Sequence, residues 1–342
     1  MNIKLSNKKP IYGIIIFGIT YFISYYNFKL RNLEITKSDN LLSIYSHYPK
    51  NIICDKYGTK SKALLSSRYK DLNQLQTIIK IKYAKDYTNL DSNSLRKSSV
   101  TLYYNSNNEI IIRKMDSGVS QNELIQLQKA NYFEKATFAI NNLSIIRQRK
   151  DLEKVYILAR RKIEIFGPGD VAFYDLALSS FLNISTPNLA YINPRDSSEK
   201  GYINTFNHIT AQALITYFFS ENLADLIGDL HERNNMPEIT SGRFTKNQLN
   251  DTLNSPEDNY IDIINNEIGQ KIGLMLKNKY KINANSKCSA IMLTTLLNNI
   301  QSYYMWALEI GLEPFRPSDE IVNKFANKIN TILYESNNIK IK

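Results

Sequence analysis

One polar helical face constrains this chain more than any other feature of its sequence. Asp262, Asn265, Asn266 and Gly269 recur at spacings of three and four residues, which places them on one side of a helix. Gly273 continues that face, and glycine inside a helix costs about 1 kcal/mol relative to alanine, so the pair of glycines predicts a close approach between helix backbones. Burying an unpartnered polar group costs about 1–3 kcal/mol. The face therefore predicts either a functional site or a fully satisfied buried hydrogen-bond network.

Two preceding segments bring further polar groups to the same predicted centre. Asn204 and His208 share a face of one helix, and the sequence GDLHE places His231 and Glu232 at the end of the next. The chain has three histidines, and two of them fall in this block. Three helices that each present polar groups indicate a site more strongly than any one of them alone.

These residue types fit two mechanisms of hydrolysis. His208, His231 and Asp262 form a candidate ligand set for a divalent metal such as zinc, with Glu232 as general base toward a bound water. Without a metal, Glu232 is a candidate general acid beside an ionised Asp262, and His208 is a further acid/base candidate. The spacing H-E-x-x-H is absent because Asn235 follows the motif, which excludes the zincin class. Three amides are predicted to contact the substrate or the candidate ligands and acids, and they are Asn204, Asn265 and Asn266.

The order of the motifs resembles that of an uncharacterised bacterial all-helical domain family. The family pattern is F-x-H, then G-D-x-H-E, then D-x-x-N-N-x-x-G, and the match here spans residues 204–273. Two positions depart from it, because Asn204 stands where the family carries Asp and Asn207 where it carries Arg. The family occurs in secreted and in phage- or toxin-associated proteins. The resemblance therefore implies an exported helical domain, and it supplies no reaction.

The first 28 residues predict a membrane anchor. Residues 10–28 are nineteen positions without a charge, and Lys4, Lys8 and Lys9 precede them. That run is long enough to span a bilayer. No small-x-small cleavage site follows it, which favours an uncleaved signal anchor over a cleaved signal peptide. The prediction is a single-pass protein of the bacterial inner membrane, with the bulk of the chain outside the cytoplasm.

Strand and helix signals predict an α+β fold that is mainly α. After a connector at 29–48, residues 49–116 are predicted as a small β-containing module, with a strand at 77–83 and a hairpin formed by 100–104 and 109–113. From Ser120, whose spacing to Glu123 indicates a capping box, residues 120–342 are predicted as a helical domain. Its further helices are predicted at 151–165, 171–183, 203–219, 221–235, 257–279, 288–312 and 318–335.

The charge and composition of the chain indicate which kinds of binding partner to expect. The net charge of +11 permits an anionic partner, such as a lipid surface or an envelope polymer. No run of five or six basic residues occurs, and no helix-turn-helix, zinc-knuckle or RNP-like signature is evident, so nucleic acid is not expected as a partner. The leading hypothesis is a membrane-anchored hydrolase that acts on a component of the envelope, which is peptidoglycan, a lipid or a phosphoester. A non-catalytic helical interaction module and an exported antibacterial toxin domain are the alternatives.

Overall fold

The described residues of the chain belong to one compact unit, Ile52–Lys342. A computed structural model describes residues 62–85, 98–106, 109–142, 151–152, 154, 173–252, 255–281 and 287–337. The predicted anchor and connector lie outside these residues, and so does almost all of the helix predicted at 151–165. Over the described ranges, no helix combines the length and the hydropathy that a bilayer crossing requires.

The described part of the chain is mainly helical and carries one small sheet, which confirms the predicted class. The helices of two turns or more are α1 (Gln121–Lys129), α2 (Tyr132–Asn141), α3 (Tyr174–Leu182), α4 (Asn204–Phe218), α5 (Glu221–Glu232), α6 (Pro256–Tyr280), α7 (Ala290–Leu308) and α8 (Glu320–Asn337). Shorter turns are the α-helical Leu72–Leu75, Pro187–Ala190, Glu238–Ser241 and Lys246–Asn250, the 3₁₀ Ser66–Arg68 and Pro194–Ser197, and the π-helical Glu199–Ile203. Each helix predicted from residue 171 onward corresponds to one of the longer helices.

The sheet has three antiparallel strands in the order β1 (Ile79–Lys85), β2 (Ser98–Ser106) and β3 (Glu109–Asp116). The predicted hairpin is confirmed, with Tyr104 paired to Ile111 across its two strands. Val100, Leu102 and Tyr104 are buried while Tyr103 between them is exposed. This alternation with period two gives the sheet one face toward the core.

Local capping sets the ends of several helices. Ser120 and Glu123 form the predicted capping box at the start of α1. The Ser220 hydroxyl accepts a hydrogen bond from the Leu223 backbone N–H, 3.2 Å away, and so begins α5. Just after the end of α4, the Lys277 ammonium donates to the carbonyl oxygen of Phe219 at 2.9 Å, which satisfies a carbonyl that the helix itself leaves unpaired.

Helices α4 and α6 form the centre of the fold and pack backbone against backbone. A Cβ built on Gly269 would lie 2.6 Å from the carbonyl oxygen of Ile209. One built on Gly273 would lie 2.5 Å from that of Ala213. Only glycine fits at such distances, which confirms the close approach predicted from these two residues. The consequence is that polar side chains of the two helices lie within hydrogen-bonding distance of each other.

Arg113 joins the sheet to two helices. From β3, its guanidinium lies 2.8 Å from Asp229 and 3.2 Å from Asp225 of α5, and 3.0 Å from Glu267 of α6. One cation therefore faces three carboxylates. Burial, together with the neighbouring acids, raises the pKa of Glu267 to about 7, although Arg113 opposes the shift.

The backbone near residue 64 is fixed by a side chain more than two hundred positions away in sequence. The Leu64 N–H donates to Asn265 Oδ1 at 3.1 Å, and Asn265 Nδ2 donates back to the Leu64 carbonyl at 2.9 Å. The Thr205 hydroxyl donates a second hydrogen bond to that carbonyl at 2.6 Å. These bonds dock residues 62–65 on α4 and α6, and they carry Ser66 and Ser67 to the rim of the site described next.

Candidate active site

The polar faces of α4 and α6 meet at His208. Its Nδ1 lies 2.9 Å from Asn266 Oδ1, and its Nε2 lies 3.2 Å from Asp262 Oδ2. The second oxygen of Asp262 accepts a hydrogen bond from Asn204 Nδ2 at 2.9 Å. Burial by itself would lower the pKa of His208, but the charge and hydrogen bond of Asp262 outweigh it and raise the pKa to about 10. Both ring nitrogens then donate, and the ring and Asp262 form an ion pair.

Glu232 approaches the same centre from the end of α5. It is only 1% exposed, and its Oε1 is buried without a hydrogen-bond partner. Burial, reinforced by the charge of Asp262, raises the pKa of the Glu232 carboxyl well above its usual range, and His208 opposes the shift only in part. A buried carboxyl oxygen without a hydrogen-bond partner destabilises a fold. Such a group is typical of functional sites, where chemistry offsets the cost in stability.

Asp258 and Lys200 extend the cluster toward solvent. Asp258 lies one helical turn before Asp262 on α6, and Asn204 Nδ2 reaches both carboxylates, with 3.4 Å to Asp258. Lys200, from the π-helical turn, lies 3.7 Å from Asp258 and donates to Ser255 Oγ at 3.2 Å. Burial and then the charge of Asp262 raise the pKa of Asp258 to about 7, against the opposing charge of Lys200. The carboxyl is thus half-ionised near neutral pH.

An open cavity of about 880 Å³ gives access to the cluster. Asn204, Glu232, Asp258 and Asp262 line it, and Lys200 contributes to its wall. His208 is not among the lining residues, and it lies behind Asp262 as seen from the cavity. A solute in the cavity therefore meets the carboxyl groups directly, and His208 acts on it through Asp262.

The structure brings most of the sequence-predicted residues together and separates two of them. His208, Glu232 and Asp262 each offer one ligand atom, and these atoms lie within 4.8 Å of one another, close enough for a modest side-chain shift to bring them to one metal ion. His231 is exposed and lies apart from them, with its Nδ1 3.2 Å from Gln121 Oε1, at the edge of the same cavity. Glu232 instead shares a buried face of α5 with Ala224 and Gly228, at spacings of four residues.

Asn265 also has a place different from that of the other predicted amides. It is fully buried, and its side chain holds the backbone of Leu64 instead of facing the cavity. Sequence reasoning missed Asp258, although its spacing of four residues from Asp262 placed it on the same helical face. It also missed Lys200, for which the sequence carries no comparable signal.

Comparison with known proteins adds no precedent. Neither a family model, nor a curated protein, nor a solved structure matches this chain. The resemblance to the bacterial helical family stays a prediction, and the chemistry of the site has to be argued from its own residues.

Proposed function

We propose that the protein is a hydrolase whose reaction centre is the cluster of His208, Glu232 and Asp262. The observation that carries the proposal is Glu232, a buried carboxyl whose Oε1 has no partner and which lines an open cavity beside a second carboxyl. Hydrolases often use two carboxyl groups in different environments, one as general acid and one as general base.

The geometry suggests a role for each group. Asp258, ionised in part near neutral pH and exposed to the cavity, accepts a proton from the attacking water. Glu232, whose carboxyl holds its proton more tightly than usual because it is buried, gives that proton to the leaving oxygen as the bond to that oxygen breaks. The His208–Asp262 ion pair fixes the negative charge next to both groups. Water supplies the oxygen that bonds to the substrate, so protons and electrons balance.

The class of substrate follows from the sequence and from the cavity wall. The predicted anchor and the basic net charge favour a component of the bacterial envelope. Several of the side chains that line the cavity can form hydrogen bonds, among them those of Ser66, Ser67 and Lys200. A polar ester, phosphoester or glycosidic bond suits such a wall better than an alkyl chain does.

A panel of chromogenic esters, phosphate mono- and diesters and dye-labelled peptidoglycan, incubated with the full chain, tests the proposal. We expect turnover of at least one class, lost in Glu232→Gln and weakened in Asp258→Asn. The matched control is His231→Gln, which changes an exposed side chain at the edge of the same cavity. If Glu232→Gln hydrolyses every substrate as fast as the unmodified chain, the proposal fails.

A second candidate function, a non-catalytic interaction module, is favoured by the buried amide contacts. Asn265 holds the backbone of Leu64, and Gln270 donates to Gln212 at 3.1 Å, so polar groups here also fix how the elements dock. If the whole cluster serves only this purpose, His208→Ala lowers the melting temperature in step with any loss of function. The hydrolase proposal expects function to be lost in Glu232→Gln while stability is kept.

A further inference from the structure

We propose that His208 Nε2, Asp262 and Glu232 bind one divalent transition-metal ion at the base of the cavity. The proposal goes beyond hydrolysis, because binding can be measured with no substrate present. It stands on the positions of the three side chains, on the hydrogen bonds behind them and on the charge that they leave uncompensated.

The separation of the donor atoms fits a shared cation. His208 Nε2 and Asp262 Oδ2 are 3.2 Å apart, and an oxygen of Glu232 lies within 4.8 Å of both ligand atoms. Two ligands at about 2.0–2.1 Å from one metal ion, at tetrahedral to octahedral angles, lie about 3.0–3.4 Å from each other. A small adjustment of the Glu232 side chain therefore completes a set of three ligands.

The outer hydrogen bonds orient these donors as they do in metalloproteins. Nδ1 of His208 faces the carbonyl oxygen of Asn266 at 2.9 Å, which leaves Nε2 as the coordinating nitrogen. Asn204 Nδ2 donates to Oδ1 of Asp262 at 2.9 Å, which leaves Oδ2 directed at His208. Glu232 Oε1 is buried and has no partner of any kind. Glu232 Oε1 is thus free to accept a ligand, and His208 Nε2 and Asp262 Oδ2 face each other, so that an ion could bind between them.

The charge of the cluster matches a divalent ion. A metal ligand has to be deprotonated, so the ion would displace the protons of His208 and Glu232. The cluster would then hold three carboxylates, Glu232, Asp258 and Asp262, against the single ammonium of Lys200. Two negative charges remain without compensation in a largely buried place. One imidazole and two carboxylates suit Zn²⁺, Mn²⁺ or Fe²⁺, whereas Mg²⁺ and Ca²⁺ prefer oxygen ligands alone.

A cation at this place alters the assignment of roles in the proposed reaction. A bound metal ion supplies Lewis-acid polarisation of the substrate and of water. Glu232 is then a ligand, and Asp258, one helical turn from Asp262 and exposed to the cavity, is the remaining carboxylate that can take a proton from water. Removal of the metal would abolish hydrolysis under this assignment and leave it intact under the purely carboxylate mechanism.

The alternative to a metal ion at this place is a direct hydrogen bond from Nε2–H of His208 to Asp262. A direct measurement of metal binding distinguishes the two arrangements. The full chain, without a polyhistidine tag and purified in mild detergent, is analysed for bound elements, stripped with EDTA and titrated calorimetrically with Zn²⁺ and Mn²⁺. We expect one equivalent of saturable binding. Pulsed electron paramagnetic resonance of the Mn²⁺ form is expected to show coupling to one histidine nitrogen.

Substitutions locate the binding. Loss of a residue that only hydrogen-bonds to a ligand weakens metal affinity ~10–100-fold, and we expect a loss in this range for Asn266→Ala. His208→Gln and Asp262→Asn remove ligands and are expected to weaken the affinity by more than that. His231→Gln, which changes an exposed histidine at the edge of the cavity, is expected to weaken binding far less than His208→Gln does. Circular dichroism establishes that each variant is folded.

Two results would overturn the inference. One is a folded, unmodified chain that shows no saturable binding of either ion. The other is a loss of affinity in His231→Gln as large as that in His208→Gln. Hydrolysis that persists in EDTA would keep the proposed function while removing the metal from it.

Discussion

Gly269→Ala tests whether the approach of α4 and α6 holds the site together. The new methyl group would lie 2.6 Å from the Ile209 carbonyl oxygen and 2.8 Å from Gln212 Cβ. Ordinary contact begins near 3.4 Å, so the two helices have to separate by 0.8 Å, the difference between 3.4 and 2.6 Å. The obstructing atom is part of the backbone and cannot rotate away.

The size of the effect follows from two opposing terms. Overpacking a close-packed core costs about 1–3 kcal/mol, and a gap of 0.5–1 Å elsewhere along the contact forfeits about a quarter to a half of the local dispersion energy. Alanine returns about 1 kcal/mol of helix propensity. We expect a net loss of about 2 kcal/mol in the free energy of unfolding.

Urea denaturation followed by circular dichroism measures this change, and Gly228→Ala is the matched control. At Gly228 the new methyl group would meet the end of the Asn266 side chain at 3.1 Å and that of Gln212 at 3.5 Å, and no backbone atom is among its three nearest neighbours. That amide can shift by a few tenths of an ångström, so the control is expected to change stability by less than about 1 kcal/mol. Equal stability of the two variants would refute the argument from backbone contact.

Three further predictions concern single side chains. Glu232→Gln is expected to keep or raise stability, by up to about 2 kcal/mol in chemical denaturation, because it removes a buried acid that has no partner. Asn265→Ala is expected to lose about 2–3 kcal/mol, since the buried Leu64 N–H is left unpaired; Asn265→Asp, which can still accept from that N–H, should lose less. Glu267, with its pKa raised from 4.5 to about 7, favours the folded state most below pH 4.5 and loses that contribution as pH rises through 7. The stability of the unmodified chain relative to Glu267→Gln should therefore fall by up to about 3 kcal/mol across that range. A pH-independent difference would contradict the assignment.

Much of the fold follows from local patterns in the sequence. The hairpin, the capping box at Ser120 and the helices after residue 171 depend on alternation, helical spacing and capping residues, all of which a single sequence displays. The convergence of His208 and Asp262 was also predictable, because their helices carry polar groups where apolar ones belong. The long-range ion pairs were not predictable. Arg113 binds acids more than one hundred residues away, and no local pattern encodes that contact.

The two neighbours His231 and Glu232 show where helical spacing stops being informative. Consecutive residues on an α-helix point about 100° apart, so one of the two can be buried while the other faces solvent. The sequence predicted both residues in the site, because both are chemically plausible there. Packing of Gly228 against Asn266 decides the rotation of α5, and it turns Glu232 inward.

The amide of Asn265 has a mechanical consequence. It accepts from the N–H of Leu64 and donates to its C=O, as a neighbouring strand would, and so it recognises backbone whatever the side chain at that position. A tensile load applied to the chain ahead of residue 62 would reach this pair of bonds before it reached the centre of α6. Ser66 and Ser67 belong to the same segment and line the cavity. Breaking the hydrogen bonds at Leu64 would therefore deform the cavity rim while α4 and α6 kept their positions.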